Sequence, residues 1–179
     1  MRGSGKILFA LVAALVVAPL IAAAGIGIDE IEYYHRVNDQ VALGGQPTPA
    51  QVVALAQAGF STIINLREES EFDAQPDVDA ATDAGLRYIR IPVSKPTPND
   101  DQVKEFIRVT DNAGIYPVFI HCATANRAAA LWMVRLVLHD GWSLETAEKE
   151  AARNGLTSEA LREFAREYIR SHGGGKQGS

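Results

Sequence analysis

The sequence predicts an α/β fold in which a central, mostly parallel sheet of four to five strands is flanked by helices. Apolar, β-branched runs alternate along the 179 residues with segments of helical periodicity, which is the pattern of a parallel sheet covered by helices on both faces. The runs STIINL (61–66) and PVFIHC (117–122) also lack polar alternation, as expected for strands that are buried on both sides.

In the first half of the predicted domain, strand and helix signals follow one another closely. The segment VALGG (41–45) ends a short strand in a glycine turn. Thr48 and Pro49 then supply an N-cap and a first-turn proline for a helix that ends at Gly59. The next predicted elements are a strand and a helix joined by a charged loop, at 61–66 and 76–84.

The second half continues the alternation. The strand 87–93 leads through a proline-rich loop to a helix that Asn99 or Asp100 can cap. The strand 117–122 is followed by a helix with apolar residues on several faces, which predicts burial. The predicted helices of this half are 101–114, 127–141, 143–155 and 157–172. The α/β domain is therefore predicted at 29–172, followed by a flexible glycine-rich tail at 173–179.

The N-terminal segment has a different character. Arg2 and Lys6 precede an uncharged apolar run (7–24) that ends in three alanines, the layout of a secretory signal. The run is longer than a signal core of about 7–15 residues and close to the roughly 20 residues that span a bilayer. Residues 1–28 are therefore predicted to be a signal peptide or a membrane anchor. Either one exports the domain to the periplasm, and an anchor would tether it to the inner membrane through 7–28.

Composition and charge exclude several functions. The formal net charge of −5 provides no basic surface for nucleic acid. The single cysteine rules out an intrachain disulfide and a cysteine-cluster metal site. His35, His139 and His172 are too scattered to form a metal site. We therefore expect one domain of about 130–150 residues, acting as a monomer without a metal, another cofactor or a nucleic-acid partner.

The one cysteine of the chain has a position that suits chemistry. Cys122 ends the strand 117–122, and Arg127 follows it where a helix begins. Backbone N–H groups in a tight strand-to-helix turn form an anion nest, and the helix N-terminus adds positive potential. The guanidinium fork of Arg127 matches a tetrahedral oxyanion. A thiol in this setting should lose its proton readily, so the loop predicts a cysteine nucleophile beside an oxyanion site.

Two chemistries fit such a site. A phosphate monoester could transfer its phosphoryl group to the sulfur of Cys122, from which water would release it. Alternatively, the thiolate could accept a sulfane sulfur from a thiosulfate-like donor. A third interpretation is a catalytically silent anion-binding or interaction domain.

Three segments resemble the cysteine-dependent phosphatases of the tyrosine and dual-specificity type. The similarity is greatest to the bacterial domain related to the front part of beta-lactamase hydrolase-like proteins. It covers about 34–155 and is carried by VALGGQPTPAQVVALAQAGFSTIINLREESE, YIRIPV and VFIHCATANRAAALW. The resemblance implies the cysteine-phosphatase fold and a hydrolase that acts through a phosphocysteine intermediate. The implied substrate is a phosphorylated protein or a small phosphate ester.

The resemblance also implies roles for individual residues. Cys122 would be the nucleophile, Arg127 would bind phosphate, and His121 would orient the loop and stabilise the thiolate. The N–H groups that would cradle the other phosphate oxygens belong to Ala123, Thr124, Ala125, Asn126 and Arg127. Asp100, with Asp101 as second choice, would be the general acid, although capping of the following helix explains Asp100 equally well.

The chain departs from the usual phosphatase signature in its loop, and Ala128 stands where a hydroxyl often follows the arginine. Four residues separate Cys122 from Arg127, where five are usual. The usual mid-loop glycine is replaced by Ala125, which narrows the permitted backbone angles. The shorter spacing is similar to that of rhodanese-like sulfurtransferases, the second family considered. The segments GGQPTPAQ and IINLRE favour the phosphatases.

Overall fold

The computed structural model describes residues 27–95 and 97–173. Five strands form one sheet within them: β1 (His35–Asn38), β2 (Val41–Gly44), β3 (Thr62–Asn65), β4 (Arg87–Arg90) and β5 (Val118–His121). The strand order is β1-β2-β5-β3-β4. Strands β2, β5, β3 and β4 run parallel, and β1 pairs antiparallel with β2 at one edge.

The predicted α/β class with a mostly parallel sheet is confirmed, but the hairpin partner β1 was not predicted. Its sequence, HRVN, has one apolar residue, and its side chains alternate between half-buried and exposed. An edge strand needs no apolar face on both sides, so its signal in the sequence is weak. Strand β4 is also shorter than predicted, although the N–H groups of Ile91 and Val93 still donate to the carbonyls of Asn65 and Leu66 at 2.9 and 3.0 Å.

Helices cover both faces of the sheet. The helices are α1 (Pro49–Gln57), α2 (Gln75–Asp83), α3 (Asp100–Thr110), α4 (Asn126–Leu138), α5 (Leu144–Arg153) and α6 (Glu159–His172). Helices α1 and α2 pack with Ile63 and Phe119, whereas α3 to α6 pack with Ile64 and Ile120. Two hydrophobic clusters result because neighbouring residues of a strand point to opposite faces.

Capping boxes fix the starts of two helices, α1 and α3. Thr48 and Gln51 form a capping box at the start of α1. Asn99 and Gln102 form another at the start of α3. Asn99 is therefore the cap of α3, and Asp100 is its first helical residue.

The predicted segments at the two ends fall largely outside the described residues. Of the predicted signal or anchor (1–28), only Gly27 and Ile28 are described, and Ile28 packs against the cluster beneath α1 and α2. Of the predicted tail (173–179), only Gly173 is described. Among the helices of the described residues, none has the length and apolarity needed to cross a membrane.

Candidate active site

Cys122 lies directly after β5, at the carboxyl end of the parallel strands. It belongs to the same hydrophobic cluster as Val118 and Ile120, on the α4 face of the sheet, and it is only 2% exposed. A cavity of about 370 Å³ lies beside it. The residues that line this cavity are Lys95, Cys122, Ala123, Thr124, Asn126, Arg127, Ser158, Ala160 and Leu161. Cys122 is thus part of a cavity wall at the carboxyl ends of the strands, where α/β proteins bind ligands.

The Cys–Arg loop (122–127) changes from strand to helix at Ala125. This alanine has left-handed backbone angles, φ 63° and ψ −19°, which cost a non-glycine residue about 1 kcal/mol. The first hydrogen bond of α4 runs from the Ala129 N–H to the Ala125 carbonyl. The N–H groups of the first α4 residues therefore have no acceptor within the helix. Their position next to Cys122, at the positive end of α4, suits an anion.

Arg127 is held in place from several sides, and only 3% of its side chain is exposed. Its Nη1 and Nη2 donate to the two carboxylate oxygens of Glu71 at 2.6 and 2.9 Å. Nη1 also donates to the carbonyl oxygens of Val93 at 2.8 Å and Leu66 at 3.3 Å. Burial lowers the pKa of Arg127, but Glu71 and the nearby Cys122 side chain outweigh it and raise the pKa. The guanidinium therefore keeps its charge beside the sulfur.

Glu71, which binds Arg127, was not predicted by the sequence analysis, and neither were the cavity residues Lys95, Ser158, Ala160 and Leu161. Glu71 ends a short 3₁₀ turn (Glu69–Glu71) after β3, and its side chain is 12% exposed, with Oε2 2.5 Å from Lys95 Nζ. Burial raises the pKa of Glu71, but hydrogen bonds from Arg127 and Lys95 lower it more, to about 2. The sequence does contain one signal for this placement. Glu68 and Glu71 have the spacing of a capping box, in which the Glu68 N–H donates to Glu71 Oε1 at 3.1 Å. The charged loop after β3 is thus partly buried rather than solvated.

His121 precedes Cys122 but lies on the other face of the sheet. Its ring stacks on Phe119 with 5.8 Å between ring centres and meets Tyr88 edge-on at 6.5 Å. Complete burial is the main cause that lowers the pKa of His121 to about 3, so the ring is neutral at pH 7. Neither ring nitrogen has a hydrogen-bond partner among the described residues. His121 therefore packs beneath the Cys–Arg loop and does not line the cavity, and its role in orienting the loop and stabilising a thiolate stays a prediction.

The structure brings most of the other predicted site residues together. Ala123, Thr124 and Asn126 line the cavity with Cys122. Ala125 is fully buried and serves as the turn residue.

Asp100, the predicted general acid, is not among the residues that line the cavity. Its carboxylate is 2.6 Å from Lys104 Nζ and accepts a hydrogen bond of 2.7 Å from the Tyr168 hydroxyl. These contacts, the one with Lys104 first, lower the pKa of Asp100. A carboxylic acid that acts as a general acid needs a pKa that is raised toward the working pH. The placement of Asp100 therefore does not support an acid role, and the identity of the general acid stays a prediction.

A partly buried polar network lies on the α1 and α2 face, at the carboxyl ends of the strands. Arg67 donates from Nη1 to Gln46 Oε1 at 3.0 Å and from Nη2 to the Glu71 carbonyl at 2.7 Å. Gln46 Nε2 in turn donates to Asp77 Oδ2 at 2.6 Å. The network therefore connects α2 to the turn that carries Glu71.

Asp77 is expected to oppose folding at neutral pH. It is fully buried, and burial raises its pKa from 3.8 to about 6 despite the hydrogen bond from Gln46 and the charge of Arg67. Because the pKa is higher in the folded chain, ionising Asp77 costs stability. The cost is absent below about pH 4 and complete above about pH 6. We expect Asp77→Asn to raise the free energy of unfolding by about 2–3 kcal/mol at pH 8.

Urea unfolding of Asp77→Asn at pH 4 and pH 8 measures this effect. The gain should be present at pH 8 and absent at pH 4. The matched control is Asp79→Asn, an exposed aspartate on the same helix, for which we expect a change within about 0.5 kcal/mol. Equal stability of Asp77→Asn and wild type at pH 8 would contradict the assignment of Asp77 as a buried, destabilising charge.

No group of three or more His, Cys, Asp and Glu side chains among residues 27–95 and 97–173 is arranged to hold a metal ion.

The family of the chain follows from its match over nearly the whole described domain. Residues 28–167 match the family described as DSP-PTPase phosphatase fused to NAD+ kinase. The chain belongs to this family. The predicted resemblance to the dual-specificity and tyrosine phosphatases is thereby confirmed.

Relatives of this DSP-PTPase chain agree with the assignment. It is 36% identical over 104 residues to a beta-lactamase hydrolase-like protein of Agrobacterium fabrum, a match that covers 55% of this chain and 24% of that protein. The chain thus matches about a quarter of the length of its curated relatives. A DUF442 phosphatase from Shewanella putrefaciens CN-32 has a TM-score of 0.66 and 25% identity, covering 81% of this chain and 96% of that one.

The DSP-PTPase fold is also found in more distant structures. The core catalytic domain of the PP-IP phosphatase SIW14 from S. cerevisiae has a TM-score of 0.67 and 17% identity. The match covers 77% of this chain and 86% of that domain. At this identity the likeness concerns the fold, and it confirms the predicted cysteine-phosphatase architecture.

Proposed function

We propose that the chain hydrolyses phosphate monoesters through a phosphocysteine intermediate at Cys122. The observation that carries the proposal is a single cavity that is lined by Cys122, by Arg127 and by three residues of the loop between them, Ala123, Thr124 and Asn126. A nucleophile, backbone donors at a helix N-terminus and a fixed cation are the groups that phosphoryl transfer to sulfur requires.

The reaction has two displacement steps. In the first, the Cys122 thiolate attacks phosphorus, so that a P–S bond forms while the bond to the leaving oxygen breaks. In the second, a water oxygen attacks phosphorus, the P–S bond breaks, and the thiolate is regenerated. The protons of the attacking water leave with inorganic phosphate and solvent.

Arg127 contributes as a preorganised donor fork. A guanidinium has five N–H donors, and the contacts with Glu71, Val93 and Leu66 engage Nη1 and one hydrogen of Nη2. The Nε–H and the second Nη2 hydrogen donate to no oxygen among the described residues, so they can bind two oxygens of the transferring phosphoryl group beside the sulfur of Cys122. Because Glu71 holds the guanidinium in advance, no reorganisation is needed as charge develops.

The cavity favours substrates whose leaving group needs no protonation. Its lining residues include no carboxylic acid in the described part of the chain, and Asp100 is engaged by Lys104 and Tyr168. A phenol with a pKa of about 10 leaves as its anion far more readily than an alkanol. We therefore place aryl phosphates, including phosphotyrosine, ahead of phosphoserine and other alkyl phosphates.

A paired assay of the full-length wild-type chain tests the proposal. We expect hydrolysis of p-nitrophenyl phosphate, no formation of thiocyanate from thiosulfate and cyanide, and a preference of about 10²-fold for a phosphotyrosine peptide over its phosphoserine analogue, the size of effect that acid catalysis supplies. Thiocyanate formation alone would assign the chain to sulfur transfer. Binding of phosphate without turnover would leave only an anion-binding domain.

Export of the domain, by cleavage or by anchoring of residues 1–28, is part of the same proposal. The proposed periplasmic or other extracytoplasmic location rests on the positive charges, the apolar run and the small residues of that segment. Fractionation of cells that produce the tagged full-length chain tests it. Recovery in the cytosol at full mass would contradict it.

A further inference from the structure

The Asn126 carboxamide connects the Cys–Arg loop to the segment before α6. Its Oδ1 accepts hydrogen bonds from the backbone N–H groups of Thr157 at 2.8 Å and Ser158 at 2.7 Å. Its Nδ2 donates to the carbonyl and the hydroxyl oxygens of Thr124, both at 3.3 Å. One side chain thus holds two separate segments of the cavity wall.

The Cys–Arg loop and the connection between α5 and α6 are also in close contact. Gly155, between α5 and α6, has a φ of +93°, and a Cβ atom there would lie 3.1 Å from Ala125 Cβ and 3.0 Å from His35 Nε2. Arg162 Nη2 donates to the Leu156 carbonyl at 2.9 Å and fastens the same connection from the α6 side. The connection between α5 and α6 is therefore fixed directly against the turn of the Cys–Arg loop.

The first turn of α6 forms part of the cavity that contains the nucleophile. Ser158 caps the helix, since Leu161 N–H donates to its hydroxyl at 3.4 Å and Arg162 N–H to its carbonyl at 3.0 Å. The N–H groups of Glu159 and Ala160 precede the first intrahelical bond and have no acceptor within the helix. Ser158, Ala160 and Leu161 line the same cavity as Cys122. The positive end of a second helix is therefore placed beside the phosphate site.

We propose that Asn126 is a positioning residue that fixes the first turn of α6 against the Cys–Arg loop, so that α6 supports binding of the phosphoryl group together with α4. This inference rests on the proposed phosphatase site and extends it to the opposite wall. The role belongs to the side chain of Asn126 and is separate from the predicted contact of its backbone N–H with phosphate. The short loop, with four residues between Cys122 and Arg127, makes such support from a second helix valuable.

Binding of inorganic phosphate to the full-length chain, measured by titration calorimetry, tests the proposal without turnover. We expect Asn126→Ala to weaken phosphate binding about 10-fold at a temperature where the variant is fully folded. The matched control is Asn112→Ala, which also removes an amide oxygen that accepts a backbone N–H, from Gly114 at 2.9 Å, in a turn outside the cavity. Asn112→Ala should lower the melting temperature by a few degrees and leave phosphate affinity unchanged.

A double-mutant cycle separates a positioning role from general destabilisation. Ser158→Ala removes the cap of α6 but leaves the backbone N–H that Asn126 binds. If Asn126 acts through α6, the two substitutions together should weaken phosphate binding clearly less than the product of their separate effects. Multiplicative effects would overturn the proposal. Should Asn126→Ala fail to fold, Asn126→Ser keeps one acceptor oxygen, and we expect an intermediate loss of about 3-fold.

The outcomes distinguish this inference from the proposed function. A wild-type chain that binds phosphate but hydrolyses no aryl phosphate counts against the proposed function alone. A folded Asn126 variant with wild-type phosphate affinity overturns the positioning role alone. A wild-type chain that does not bind phosphate overturns both.

Discussion

Replacement of the proposed nucleophile, Cys122→Ser, is expected to reduce aryl phosphate hydrolysis by about 10⁴-fold or more. A serine hydroxyl stays protonated at neutral pH, and removal of a catalytic nucleophile typically costs this much. Binding of inorganic phosphate should persist within about 3-fold, because the Arg127 guanidinium and the loop N–H groups supply most of the anion contacts. The measurement is initial-rate kinetics with p-nitrophenyl phosphate, together with phosphate titration of the same preparations.

The intermediate itself provides the control. Acid quenching of the wild-type chain during turnover should trap one phosphoryl group on the peptide that contains Cys122, and mass spectrometry should find none in Cys122→Ser. Substantial turnover by the variant, or a phosphoryl group on another residue, would disprove the assignment of Cys122 as the nucleophile. The variant is expected to fold, because the side chains of cysteine and serine are close in size.

Glu71→Gln is expected to reduce both activity and stability. Glu71 is ionised and mostly buried between Arg127 and Lys95. Its loss leaves the Arg127 charge buried without its counter-ion, which costs about 3 kcal/mol. Turnover should fall about 10²-fold, because the guanidinium loses its fixed orientation. Urea unfolding and steady-state kinetics at pH 7 measure the two effects.

The pH dependence of Glu71→Gln identifies the cause. The pKa of Glu71 is lowered from 4.5 to about 2 in the folded chain, so its stabilisation is complete above about pH 4.5 and is lost as the pH falls toward 2. The stability difference from wild type should therefore shrink below pH 4.5. The control, Glu69→Gln, changes an 83% exposed carboxylate in the same turn and should alter stability by less than about 1 kcal/mol. An equal pH dependence of stability in the two variants would refute the role of Glu71 as the counter-ion that holds Arg127.

Sequence patterns sufficed for the architecture and for the core of the site. Strands such as 61–66 and 117–122 are apolar on both faces, so burial leaves a clear pattern in the sequence. The position of Cys122 and Arg127 at a strand-to-helix turn follows from the chain order alone. The edge strand β1 lacked such a pattern, because its polar residues look like those of a loop.

The remaining parts of the site depend on contacts that sequence spacing cannot reveal. Glu71 binds Arg127 across 56 positions of the chain, and a glutamate in a charged loop has the same local pattern whether it is buried or solvated. The alternation of side chains along β5 predicts which side of the sheet His121 faces. It does not predict that the ring nitrogens of His121 have no hydrogen-bond partner among the described residues. Asn126 was predicted through its backbone, whereas its side chain meets a segment about thirty residues later.

The Arg67 guanidinium has a consequence for recognising active relatives from sequence. Its Nη1 donates to Gln46 in the turn before α1, and its Nη2 donates to the backbone carbonyl of Glu71, the residue whose side chain binds Arg127. A homologue could therefore carry an intact HCATANR signature and still lack the contacts that hold the arginine of this loop in place. Screening for functional members should require the Arg67 and Glu71 pair in addition to the cysteine and arginine of the loop.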